Sequence, residues 1–137
     1  MINHVDFASI NYFAVLVAAV LAFGVGSLWY GKPLFANVWM KETGLTEEQL
    51  QGANFGMIFG SSLVMSFIAM LFLAVFIGPN ATVFIGALHG AIIAGIFIGT
   101  SLATNYLFSQ RSLKLFLIDA GYDLVRYTLA GIVLGAW

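Results

Sequence analysis

Four long apolar runs constrain this chain more than any other feature. They extend over roughly residues 10–30, 55–77, 82–107 and 112–137. Each reaches the ~20 residues that an α-helix needs to cross the hydrocarbon core of a bilayer. Lipid offers no water to backbone N–H and C=O groups, so a spanning segment must satisfy them internally, as a helix or in a closed barrel. The runs show no period-two alternation, which sets the barrel aside. The rest of the chain has little to build a soluble surface from: of 137 residues, 61% are hydrophobic and 8% charged. The expectation is an all-α membrane protein, a single membrane domain over residues 1–137 with four transmembrane helices in a bundle.

The ends and links add detail. The opening residues, MINHVDF, lack the positive charge of a signal peptide and no convincing cleavage site follows, so the first run is expected in the mature protein. Gly78-Pro79-Asn80 is a turn signal between the second and third runs. The long first link, about residues 31–54, contains Thr46-Glu47-Glu48-Gln49, a capping box. There the Thr46 hydroxyl can accept from the Gln49 amide while Gln49 reaches back to Thr46. A short amphipathic surface helix is expected there, between the first and second spans. Lys32, Lys41, Arg111 and Lys114 all fall in the first and third links. The positive-inside rule then places those links in the cytoplasm and both termini outside, with Trp29, Tyr30, Trp39, Tyr106 and Trp137 marking the interfaces.

Small residues recur at four-residue steps. The first run has Ala14, Ala18, Ala22 and Gly26. The third has Ala87, Ala91, Gly95, Gly99 and Ala103, with Gly86, Gly90 and Ala94 beside them, and the second begins with Gly52, Gly56 and Gly60. In lipid such ladders let helix backbones approach and gain dispersion contacts. They exceed what four helices need among themselves, so the predicted partners are the lipid bilayer and further copies of the same chain.

The fourth run breaks the apolar pattern. Asp119, Asp123 and Arg126 stand at i, i+4 and i+7 and share one helix face, with Tyr122 and Ala130 on the same stripe. On insertion scales each such charge costs about 2.5–3.5 kcal/mol at the bilayer centre, so the face must look at protein or water. Either Asp123 pairs with Arg126 and Asp119 is hydrated, or one carboxyl is protonated. Counted by depth from the cytoplasmic helix ends, Ser61 and Ser62 fall near Asp119, Ser66 near Asp123, and His89 about a turn outward of Arg126. A polar column through these residues is one reading, binding or passing a small solute or proton. In it Asp119 and Asp123 titrate, Arg126 is their counter-ion and His89 an outer, pH-sensitive gate. In a second reading the same charges only fix helix packing and oligomerisation, in a structural or accessory subunit. A lipid- or pigment-binding protein, consistent with 13 Phe, is a third.

Other classes find no footing. There is no cysteine, so disulfides and thiol chemistry are excluded. No HExxH, phosphate-binding loop or G-x-S-x-G elbow is present, and His4 and His89 are far apart in sequence for a metal site. No catalytic residue, metal or cofactor is expected. A net charge of −1 gives no reason to expect nucleic acid.

Two segments, LWYGKPLFANVWMKETGLTEEQL (28–50) and NYLFSQRSLKLFLIDAGYDLV (105–125), together with the closing GAW, resemble the bacterial domain-of-unknown-function family numbered 1761. The resemblance covers nearly the whole chain. It implies a small multi-helix protein of the bacterial inner (cytoplasmic) membrane, multi-pass and with no established activity. It also implies that Asp119 and Asp123 replace an Asn and an aromatic or apolar residue, so the charges look particular to this chain.

Overall fold

The computed structural model of the protein describes residues 7–137. The readings made for residues 1–6, including His4 and the expectation about the N-terminal segment, lie outside the described residues. A 3-10 turn at Phe7–Ser9 leads into α1 (Tyr12–Trp29). The first link carries two short helices, α2 (Ala36–Thr43) and α3 (Glu47–Gln51), before α4 (Phe55–Ile77). The next helix starts as α5 (Val83–Ile92), passes through a π-helical stretch at Ile93–Ile98 and continues as α6 (Gly99–Phe108). The last, α7, covers Leu113–Ala136. No strand occurs among the described residues.

Each long helix begins at a side chain that caps it. The Ala14, Met57, Ile85 and Leu115 amides donate to the side chains of Asn11, Asn54, Thr82 and Ser112 respectively. Each cap satisfies one of the orphan donors of a first helical turn. The Thr46–Gln49 capping box forms as its sequence pattern requires. Gly78 ends α4 at φ +84, a conformation that glycine adopts without steric cost and that turns the chain sharply before Pro79. At the α6–α7 turn the same role falls to Gln110, at φ +56. The Arg111 amide donates to the Tyr106 carbonyl and the Gln110 amide to Leu107, the Schellman arrangement, built without its usual glycine.

Among the described residues three helices are long and apolar enough to cross a membrane: Tyr12–Trp29, Phe55–Ile77 and the continuous Val83–Phe108. The fourth, α7, has 24 residues but carries Lys114, Asp119, Asp123 and Arg126, which sets it apart from those three. It is nevertheless the hub of the packing, lying most extensively against α5 and next against α1, while α1 also packs on α4. The most extensively packed pairs run antiparallel. Phe13 meets Trp137 at one end of the α1–α7 pair, and Trp29 meets Ile118 at the other.

The small residues explain how closely these helices approach. Ala14, Ala18 and Ala22 are buried on α1, and a Cβ on Gly26 would lie 2.8 Å from the Tyr122 hydroxyl oxygen. The first ladder therefore packs within the chain. On the third span the packing face is shifted from the expected Ala87–Ala91–Gly95–Gly99 stripe to its neighbour. Gly86, Gly90 and Ala94 are buried, whereas Ala87 and Ala91 are half-buried and Gly95 is exposed. The reason lies on α7. A Cβ on Gly86 would collide with the Gly131 carbonyl, one on Gly90 with the Tyr127 carbonyl, and one on Gly135 with the Thr82 carbonyl. Glycine facing glycine brings two backbones into contact, and alanine at 87 and 91 would hold them apart. Gly99 is buried, but its nearest neighbour is the Ala94 carbonyl of its own span. The interior between the helices is closed by Val15, Met70, Leu73 and Leu115.

Candidate functional site

The charged stripe of α7 lies where three helix segments converge: the end of α1, the end of α6 and the first half of α7. Asp119 is shared by all three. Its Oδ1 accepts from the Tyr30 hydroxyl at 2.6 Å, and its Oδ2 accepts from the Tyr106 hydroxyl. Hydrogen bonds to an ionised carboxylate are about twice as strong as neutral ones. Both phenols donate, so the carboxylate is held from two sides.

Two further bonds tie α7 to α1. The Trp29 indole N–H donates to the Ile118 carbonyl at 2.9 Å, and the Tyr122 hydroxyl donates to the Ala22 carbonyl at 3.1 Å. Trp29 also packs over Gly121, where a Cβ would come within 3.1 Å of its ring. Backbone carbonyls four residues from a helix partner have a lone pair to spare, and buried Trp and Tyr need an acceptor or donor.

Asp123 and Arg126 form the second half of the cluster. Both Nε and an Nη of Arg126 lie 2.9 Å from Asp123 Oδ1. The two side chains are 14% and 20% exposed for Asp123 and Arg126, so water screens the pair only partly. The guanidinium stands over the rings of Tyr122 at 4.9 Å and Tyr127 at 5.0 Å, a cation–π arrangement that replaces some of its lost hydration. Tyr30 joins the two halves. Its ring meets Tyr122 edge-on at 5.3 Å and, on the other side, Trp39 of α2 at 6.0 Å.

The structure thus brings together Asp119, Tyr122, Asp123 and Arg126 from the expected set. The i, i+3 pairing of Asp123 with Arg126 is present, but Asp119 is held by two phenols where hydration was expected. The other members of the polar column stand apart from these bonds. Ser61 and Ser62 are on an exposed face of α4, and Ser66 is buried on the same helix. His89 Nδ1 lies 2.8 Å from the Ile85 carbonyl one turn back on its own helix. Sequence reasoning assigned Trp29, Tyr30 and Tyr106 to the interface belt and so missed them as partners. Their depth was the available signal, since the ends of the first and third runs stand level with Asp119.

Among the described residues no buried side-chain polar atom lacks a hydrogen-bond partner, and no three His, Cys, Asp or Glu side chains are grouped to hold a metal. Two hollows among the described residues lie elsewhere. One of about 490 Å³ opens beside α2, lined by Lys32, Asn37, Lys41 and Glu47 among others. The other, about 370 Å³, is an apolar groove between α6 and α7.

A protein family described as "Protein of unknown function (DUF1761)" matches residues 13–135 of the chain. No curated protein and no solved structure matches it.

Proposed function

This chain belongs to the DUF1761 family of proteins of unknown function, and on that premise we propose that it is a structural or accessory membrane protein, not an enzyme. In this reading the aromatic–charged cluster is a clamp that holds α7 in register. The observation that carries it is internal pairing. Both Asp119 oxygens and the Tyr122 hydroxyl are bonded within the chain, and Asp123 Oδ1 is held by Arg126. A proton or solute path needs groups that exchange partners with the cargo, and a satisfied network in low dielectric is rigid instead.

The reading takes α7 as a fourth span. It runs antiparallel to α1 over the full length of that helix, from Trp29–Ile118 to Phe13–Trp137. Asp119 faces Tyr30 and Tyr106, and Asp123 and Arg126 are paired and mostly covered, which is how an intramembrane charge avoids lipid. The four cations in the first and third links then favour a bacterial cytoplasmic membrane with both termini outside. Gly56 and Gly60 on α4 face outward, with open space at Gly60, and suit the contact of a homo-oligomer.

Asp123→Asn in the purified full chain tests the clamp. It should lower the unfolding midpoint in detergent, and reconstituted vesicles should show the same proton leak with wild type, with the variant and with no protein. A wild-type proton flux above empty vesicles that Asp123→Asn abolishes while the fold survives would replace the clamp by a path.

A further inference from the structure

The groove between α6 and α7 opens beside the clamp and shares Gly121 and Phe116 with its edge. Along α5, Gly86 and Gly90 hold the backbone against α7. The π-helical stretch Ile93–Ile98 then widens the turn, as such stretches do by accommodating an extra residue. Along it and beyond it the two helices part. A Cβ on Gly95 would meet Leu124 only at 3.9 Å, and one on Gly99 would meet nothing from α7 within 4 Å. The space between is the groove of about 370 Å³, floored by Gly95, Gly99, Ala103 and Ala120 and walled by Phe116 and Leu124.

At its α6–α7 turn end the groove leads to two cations. Lys114 precedes the groove residue Leu117 by one helical turn. The Arg111 guanidinium stacks on Tyr106 at 5.5 Å, and Tyr106 meets Phe116 edge-on at 6.3 Å. Both cations are exposed. The ion pairs among the described residues are Lys32–Glu47 and Asp123–Arg126, so no carboxylate there neutralises Arg111 or Lys114. The first turn of α7 adds the positive end of a long helix.

An apolar slot that continues into unmatched positive charge has the polarity of a phospholipid, acyl chain first and phosphate last. We propose that the α6–α7 groove binds one anionic glycerophospholipid, an acyl chain lying along Gly95, Gly99 and Ala103 and the headgroup phosphate meeting Arg111 and Lys114. The proposal rests on the reading of α7 as a membrane span, since only then does the groove open to lipid. Basic positions between transmembrane helices at a membrane face are where anionic headgroups gather. A second copy fits less well. It would have to lay down a helix about 10–12 Å across and bring carboxylates to the turn, whereas Glu42, Glu47 and Glu48 lie in and beside α2 and α3.

Native mass spectrometry of the detergent-purified full chain tests this, with phosphatidylglycerol and phosphatidylcholine of identical acyl chains as probes. Wild type should retain one lipid, with phosphatidylglycerol favoured roughly tenfold or more, the effect of two interfacial cations. Arg111→Gln with Lys114→Gln should erase the preference and leave phosphatidylcholine retention unchanged. Ala103→Phe, which fills the groove, should lose the lipid of either headgroup at an unchanged unfolding midpoint. Equal retention of both lipids by wild type overturns the proposal. So does a folded Ala103→Phe chain that keeps the lipid, or one that loses a dimer mass instead, which would assign the groove to a second copy. The double substitution lies at exposed positions and decides the headgroup claim even should Ala103→Phe fail to fold. Labelling of single cysteines at the two ends of α7 tests the span separately, because lipid retention is read in detergent whatever the topology.

Discussion

The two halves of α7 hold their neighbours by opposite means. Toward its start, the helix stands off from α1 and α6 by the width of aromatic rings, and Trp29, Tyr30 and Tyr106 bridge the distance with hydrogen bonds to Ile118 and Asp119. Toward its end, nothing bridges: Gly131 and Gly135 bring the α7 backbone directly onto Gly86 and Thr82. The first kind of contact is specific, because each donor reaches one acceptor. The second is dense, because two glycine faces remove every atom that would separate the chains. In lipid, where apolar burial gives no drive between helices, dispersion at the tight end and hydrogen bonding at the open end are the two resources left. The division lets one helix carry four charged side chains and still pack in a bundle.

That contrast predicts unequal responses to substitution. The largest loss belongs to the tight end. Gly131→Leu drives a side chain into the Gly86 backbone, which cannot yield as a flexible side chain can. The expected destabilisation is about 3 kcal/mol, the upper part of the overpacking range. Thermal unfolding in detergent reads it, with Gly24→Ala as the control, since a Cβ at Gly24 meets nothing within 4 Å. A Gly131→Leu chain as stable as the control would mean that the two backbones are not in contact.

At the open end, Asp123→Ala strands the Arg126 guanidinium. A fully buried pair broken this way loses 3–5 kcal/mol; here, with Arg126 partly exposed and stacked on two rings, about 2 kcal/mol is expected. Arg126→Met in the same background should restore most of it, because removing both charges leaves no unpaired group. A double variant no better than Asp123→Ala would show that the loss has another origin.

Tyr30→Phe should cost less, about 1 kcal/mol, since Asp119 keeps its bond from Tyr106. The smallest effect has the opposite sign. Gln110 occupies a left-handed conformation that disfavours any residue with a Cβ. Gln110→Gly should raise stability by up to about 1 kcal/mol, read as a higher unfolding midpoint.

Much of the fold was legible in the sequence, and the reasons are local. The apolar runs end within a residue or two of the observed long helices because hydropathy and capping agree there: Asn11, Asn54, Thr82 and Ser112 stand just before the first helical turns. The capping box at Thr46 was equally plain. Helix α2 was not, since Ala36–Thr43 has neither a side-chain cap nor a long apolar pattern. The charged stripe of α7 followed from its i, i+4, i+7 spacing, but its partners did not, because matching by depth was applied to serines and a histidine and not to tyrosines at helix ends. The glycine seam was missed for a different reason. Two small-residue ladders run side by side on the third span, and only the facing glycines of α7 decide between them. The π-helical stretch that parts α6 from α7 leaves no sequence signature, so the groove was invisible.

The central claim is that α7 is held in register by bonds between helices, and the contact of Tyr30 with Asp119 is its most direct expression. A double-mutant cycle with Tyr30→Phe and Asp119→Ala, measured by reversible unfolding of the full chain in mixed micelles, isolates that contact from everything else either residue does. The account predicts a coupling of about 1 kcal/mol, within the range for residues in one hydrogen-bond network. Additive effects, with a coupling no larger than the ~0.3–0.5 kcal/mol seen between independent sites, would contradict it.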